Sequence, residues 1–375
     1  MVMKRVLGVS LLIVCLLHIA GCSVEKPTQN IAYTELGVPS SSRYPDGVRA
    51  RCPWDMIVWE GNLYIGGGDY DTNAGPVDIW AYNLETNTWH NSGTVPDEEV
   101  FRFRIIEDGL IVPGVDPTED WTYGNYYELA DGEWTKHRTI PSGVHNFDMV
   151  EFDGWLFCGL GVPTGEYPIA RSGDNGKTFS AVEMYKNGVP IDTSGSEFVR
   201  VYDLFVFEDA LYAAFYYGDS ELVYDLYRYE DGIFVFDNQW YQKIHQVKFS
   251  NHIIGGKVEY KGHMFFTTGY LYATDDMANF TRVVFPNDPV VYDIGVYNDS
   301  LYVLCGEKKE DGTYTISVWK NRNQKVTSFS ELFNFSYEIP PLSLTWHDST
   351  FYIGMGDASE VQEKNGMVLQ IDYDG

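Results

Sequence analysis

Basic residues are scarce in this sequence: 26 Lys and Arg stand against 54 Asp and Glu, a formal net charge of −28. A chain of that sign repels phosphate backbones, which argues against a nucleic acid partner, and it attracts cations and basic surfaces. Cysteine is nearly absent, with 5 in 375 residues. Cys15 and Cys22 lie in the first segment. Cys52, Cys158 and Cys305 remain, an odd number that argues against a full disulfide framework. Cys158 and Cys305 fall in alternating apolar stretches, where buried thiols are expected. No long apolar run occurs after the first segment, so no membrane-spanning helix is expected there. Sustained helical periodicity is also missing, which leaves an all-β chain.

The N-terminus carries Lys4 and Arg5, then a mostly apolar run from Val6 to Leu17, then Ile19-Ala20-Gly21-Cys22. The run is too short to span a bilayer and has the layout of a secretory signal. The small residues before Cys22 resemble the lipobox of bacterial lipoproteins. That resemblance implies cleavage before Cys22, lipidation there, and a protein held at the cell envelope outside the cytoplasm. Residues 1–21 are thus expected as signal peptide, 22–30 as a lipidated tether, and 31–375 as one domain.

One hairpin pattern recurs seven times: an alternating strand, a polar turn, a hydrophobic pair and small residues. Examples are MIVWEGNLYIGGG (56–68), MVEFDGWLFCGLG (149–161) and IGVYNDSLYVLCG (294–306). The first residues of the pairs are Leu63, Leu110, Leu156, Leu211, Met264, Leu301 and Phe351, spaced by 47, 46, 55, 53, 37 and 50 residues. Such a period with several short strands per unit predicts a seven-bladed β-propeller with four-stranded blades. Fourth strands are expected to end at Val95-Pro96, Ile140-Pro141, Val189-Pro190 and Phe285-Pro286, because Pro suits an outer edge. The last repeat stops after three strands, and residues 31–39 precede the first. The N-terminal segment is therefore expected to complete the last blade and close the ring.

The stretch SGDNGKTF (172–179) resembles the Asp-box, a turn motif of sialidase-like propellers, and TDDMANFT (274–281) is a degenerate relative of it. YNLETNTW (82–89) and YELADGEW (127–134) resemble Kelch-type hairpins. The resemblance implies a fold with many functions, and it places the Asp-box on an outer turn away from the axis.

Candidate site residues come from position within the repeat. Eight residues before each anchor stand Asp55, Arg102, Asp148, Asp203, Gly256, Asp293 and Ser343, and each Asp follows an aromatic: Trp54, Phe147, Tyr202 and Tyr292. Six residues after the anchors stand Asp69, Asp116, Val162, Tyr217, Tyr270, Glu307 and Asp357. The four acids of this second set are predicted to form an acidic arc at the channel mouth. Two readings of the inner Asp positions stand side by side. They bind a cation or polar ligand, or they accept hydrogen bonds from neighbouring backbone because the fold repeats. Asp69, Asp71 and Asn73 follow the D-x-D-x-N start of a calcium loop, which makes Ca2+ a possible cofactor, although Ala74 replaces the turn glycine.

Arg102, Arg104 and Arg200 do not occupy the three separate blade positions that a sialidase arginine triad requires. The leading expectation is a monomeric, membrane-anchored, non-catalytic binding module for a glycan, peptide or protein partner at the channel mouth. The alternative is a carbohydrate-active hydrolase or lyase that uses the same carboxylates.

Overall fold

The structure is a computed structural model, and it describes residues 31–196, 198–218, 223–239, 256–322 and 325–373. The signal, Cys22 and the tether lie outside the described residues.

Alternation of apolar and polar residues produces strands almost throughout, and each repeat folds as an antiparallel meander. The first repeat shows the pattern. Met56–Trp59 pairs with Asn62–Ile65, then Val77–Asn83, then Thr88–Val95. Its first turn needs a left-handed backbone, and Glu60 and Gly61 supply it with φ of 44° and 73°. Comparable four-stranded sheets begin at Arg104, Lys257 and Val290. The last sheet runs Pro341–His347, Thr350–Met355, Val368–Asp372, and then Thr34–Gly37 from the other end of the chain. The N-terminal segment therefore closes the ring as expected, through a shorter strand than residues 31–39.

The blade count differs from expectation: the described residues form five separate four-stranded blades, not seven. The third and fourth repeats do fold as meanders, but both are absorbed into a single twelve-stranded sheet. Two local pairings join them. Gly161, at the end of one repeat's second strand, pairs with Arg200 on the next repeat's first strand. At the outer margin Met184–Lys186 lies parallel to Ile233–Asn238. Val189-Pro190, expected to end an outer strand, instead forms a small extra hairpin with Met184–Lys186.

Aromatic and aliphatic side chains fill the space between neighbouring sheets. Tyr127, Phe157, Phe215, Phe234, Phe265 and Phe266 are fully buried, and edge-to-face pairs such as Phe157–Phe234 at 6.1 Å are common. Cys52, Cys158 and Cys305 are buried thiols outside any disulfide, and burial pushes the Cys158 thiol well up. A thiol reagent is expected to leave all three unlabelled in the native protein and to label them in denaturant. Native labelling of any of them would contradict this packing.

The SGDNGKTF stretch forms the turn between Ile169–Ser172 and Ser180–Ala181. Asp174 accepts from Thr178 N at 2.9 Å and Thr178 Oγ1 at 2.7 Å, and Ser172 Oγ accepts from Gly176 N at 2.9 Å. In TDDMANFT, Asp276 likewise accepts from Ala278 N and Asn279 N at 2.9 and 2.7 Å. Both carboxylates are occupied as turn locks.

Candidate functional site in the axial channel

The innermost strands place the aromatic–Asp pairs around the axis by a repeated irregularity. The strand register shifts between Asn146 and Asp148, Val201 and Asp203, Val291 and Asp293, and Pro341 and Ser343. In the first three, the residue skipped is the aromatic of the pair: Phe147, Tyr202 or Tyr292. An extra residue bends the strand and re-aims its neighbour, here the Asp.

Each inner Asp reaches toward the next repeat. Asp55 accepts from Met56 N at 2.8 Å and from Phe103 N, one repeat on, at 2.8 Å. Asp148 accepts from Met149 N at 3.0 Å and Leu204 N at 2.9 Å. Asp293 accepts from Ile294 N at 2.8 Å and Leu344 N at 2.7 Å. Ser343 completes the circuit by donating to Pro53 O at 2.7 Å. Of the two readings of these positions, the geometry matches backbone bonding between repeats.

The remaining members form a buried charge network. Arg102 lies 2.7 Å from Asp148 and 2.6 Å from Asp203. Lys257 Nζ donates to both carboxylates at 2.7 Å, and Arg104 Nε donates to Asp148 at 2.7 Å. Burial alone would raise the Asp148 carboxyl, but Arg104, Lys257 and Arg102 outweigh it and hold it far below the usual range. Asp203 is lowered in the same way by Arg102 and Lys257 against burial. Asp55 is raised by burial. Asp293, with no cation beside it among the described residues, is pushed up to about 8 by burial and by Asp55.

Sequence reasoning weighed Arg104 only as part of an arginine triad and missed Lys257. Gly256 holds the Asp slot of its repeat because a Cβ there would lie 2.8 Å from Asp293 Oδ1. The polar group arrives one residue later, on Lys257. The available signal was basic residues gathered at inner-strand starts in a chain that has few.

Among the described residues, aromatic side chains pack across the outer mouth. Phe147 packs on Tyr202 at 4.4 Å, and Tyr70 on His145 at 5.4 Å. Tyr202 OH accepts from Arg200 at 2.8 Å, and Trp54 Nε1 donates to Gly68 O at 2.9 Å beneath the Arg49 guanidinium. The acids of the predicted arc are engaged locally. Asp357 accepts from Ser359 N at 2.9 Å, and Glu307 lies 3.1 Å from Lys309. Asp116 is half-buried and its carboxyl is raised by burial. Tyr292 packs beside Gly306.

The proposed calcium loop holds an arginine instead. Arg49 Nη1 bridges Asp69 at 3.1 Å and Asp71 at 2.7 Å, Asp69 caps its own turn through Asp71 N, and Asn73 is the left-handed residue that ends it. Among the described residues no group of three or more His, Cys, Asp or Glu is arranged to hold a metal ion.

On the hairpin face the channel opens into a cavity of about 420 Å³ bordered by the inner strands of repeats two to five. Arg104 and Lys257 lie at its base, and their side chains are 29% and 10% exposed. Ile105, 52% exposed, forms part of its wall.

Several carboxyls make stability pH-dependent. Burial pushes Asp97 up to about 6 and Glu98 up to about 7, with Asp116 also raising Glu98, and Asp293 stands at about 8. Raised groups contribute stability that is complete below about pH 4 and lost as pH climbs through their folded values. Asp148 and Asp203 are lowered, so their contribution is complete above about pH 4 and lost in acid. Thermal stability is therefore expected to peak between about pH 4 and 6 and to fall toward pH 8, with the alkaline decline shallower in Asp293→Asn. A melting temperature that rises from pH 5 to 8 would refute this assignment.

No protein-family model matches the chain, and no curated protein matches it. Solved structures do. A catalytically inactive virginiamycin B lyase from Staphylococcus aureus, crystallised with Quinupristin, aligns at TM-score 0.53 and 12% identity over 92% of this chain and 99% of its own. A chain of the Mitotic Checkpoint Complex aligns at TM-score 0.54 and 10% identity over 95% of this chain and 100% of its own. Puromycin hydrolase aligns at TM-score 0.49 and 11% identity over 88% of this chain and 53% of its own. At these identities the likeness concerns the fold alone: the chain is an all-β propeller with four-stranded blades.

Proposed function

We propose that the protein is a lipid-anchored cell-envelope binding module that takes a glycan, peptide or protein partner at the axis without transforming it. The observation that carries this reading is the use of the inner carboxylates. Glycoside hydrolysis needs two carboxyl groups facing a substrate, one of them a raised acid. Asp55 and Asp293 are the raised pair, and each spends both oxygens on backbone N–H groups. Asp148 and Asp203 are lowered and held by cations. The cavity on the hairpin face offers a ligand room. The lipobox resemblance supports anchoring through Cys22.

Two measurements test this. Labelled fatty acid is expected to be incorporated by the native chain and not by Cys22→Ser. Screening glycans and peptides by thermal shift is expected to find ligands that raise the melting temperature and are recovered intact. Ile105→Trp, which fills the cavity from an already exposed position, is expected to abolish the shift. Consumption of the ligand, or a shift indifferent to Ile105→Trp, would sink the reading.

A further inference from the structure

The chemistry of the axial cavity narrows its ligand, and this inference rests on the binding reading above. Its base offers unused donors. Arg104 spends Nε on Asp148 and Nη1 on Phe103 O at 3.2 Å, and its Nη2 has no partner among the described residues. Lys257 spends two of its three N–H groups on Asp148 and Asp203. Arg102, Arg104 and Lys257 face Asp148 and Asp203, and Asp55 also lies close enough to Arg104 and Arg102 to interact with them, so what the base offers an anion is its unused N–H groups rather than a net charge. A planar guanidinium edge beside an ammonium suits a carboxylate.

The walls and rim differ from the base. Val150, Val206 and Val258 line the walls with Ile105. At the hairpin end stand three exposed carboxylates, Glu107, Glu151 and Glu259, each from a different repeat. A rim of that charge opposes a free phosphate or any other compact anion. It favours a ligand that puts a cation at the rim and an anion at the base. Arg104 and Glu107 are three residues apart along one chain, a separation of about 10 Å at about 3.3 Å per extended residue. A free α-amino acid has its two charges too close together to reach both ends.

We infer that the cavity binds a short unblocked peptide of about three residues, with its C-terminal carboxylate on Arg104 and Lys257 and its N-terminal ammonium among Glu107, Glu151 and Glu259. The peptide lies extended along the axis, and small or aliphatic side chains meet the valine walls. Sequence preference is weak, because both charged anchors act on the peptide's ends.

Calorimetric titration of the full chain with Ala-Val-Ala tests this. Saturable binding is expected with the free peptide. N-acetylation and C-terminal amidation are each expected to weaken it by about tenfold or more, the size of one charge-assisted hydrogen bond. Glu151→Gln and Glu259→Gln change exposed rim residues that make no hydrogen bond or ion pair among the described residues, and they are expected to weaken the free peptide but leave the acetylated one unchanged. That pattern separates recognition of the ammonium from damage to the fold. Equal binding of free and doubly blocked peptide would overturn the inference. So would tighter binding of inorganic phosphate than of the peptide. If Ala-Val-Ala fails while a neutral oligosaccharide binds and is displaced by Ile105→Trp, the peptide inference falls and the binding-module reading stands. If no ligand responds to Ile105→Trp, both fall.

Discussion

Asp148→Ala is expected to lower the stability of the protein by about 3–5 kcal/mol, the cost of removing one partner from a buried ion network. Asp148 is fully buried and joins five donors: Arg102, Arg104, Lys257, Met149 N and Leu204 N. Alanine leaves Lys257 and Arg102 to share Asp203 and strands Arg104 with one backbone acceptor. It also deletes the bond from the third repeat to the fourth. Against a total of about 5–15 kcal/mol that is a large fraction, readable as a lower denaturation midpoint at unchanged slope. Asp148→Asn keeps the shape and part of the bonding, so a smaller loss is expected. If alanine costs less than about 1 kcal/mol, the network is not what holds these repeats together.

Deleting residues 31–38 is expected to have the largest effect of any change outside the axis: loss of the soluble folded protein. The segment supplies the outer strand of the last sheet, with Thr34 against Gln370 and Glu35 against Leu369. It also carries bonds across the ring closure. Trp89 Nε1 donates to Leu36 O at 2.8 Å, Tyr337 OH to Glu35 at 2.9 Å, and Lys364 reaches Glu35 at 2.8 Å. Ile31 and Val38 pack on the core of the last two sheets, and Tyr33 lies 5.0 Å from Phe335. Without the segment, Val368–Asp372 becomes an open edge with unpaired backbone, a template for aggregation. A synthetic peptide of residues 31–38 added during refolding is expected to recover folded protein. Recovery of a stable monomer without any peptide would show that three strands suffice.

Much of the architecture was legible because propeller repeats carry their period openly. The anchors at Leu63 through Phe351 located every inner hairpin, and counting back eight residues found the positions that link the repeats. The merging of repeats three and four was not legible. It rests on single pairings such as Gly161 with Arg200, which depend on how loops bring strand ends together and leave no periodic trace. The site was legible in position but not in role. An aromatic–Asp pair at a strand entry reads the same whether the Asp faces a ligand or the next backbone, and only the partner across the repeat boundary decides. Lys257 escaped notice because comparison by position stopped at Gly256, whose missing side chain is itself enforced by Asp293. In the calcium-like loop the competing cation, Arg49, lies twenty residues upstream and cannot be seen from spacing.

The links between repeats are not alike around the circumference. From the second repeat to the fifth they run through Arg102, Asp148, Asp203 and Lys257, all charged. From the sixth repeat to the first they run through Asp293 with two amides and then a serine hydroxyl. Acid that protonates Asp148 and Asp203 strikes the first arc and spares the second, while alkali that ionises Asp293 does the reverse. The ring therefore has two weak sides selected by pH, and it will open like a bracelet with two clasps, on one side in acid and on the other in base.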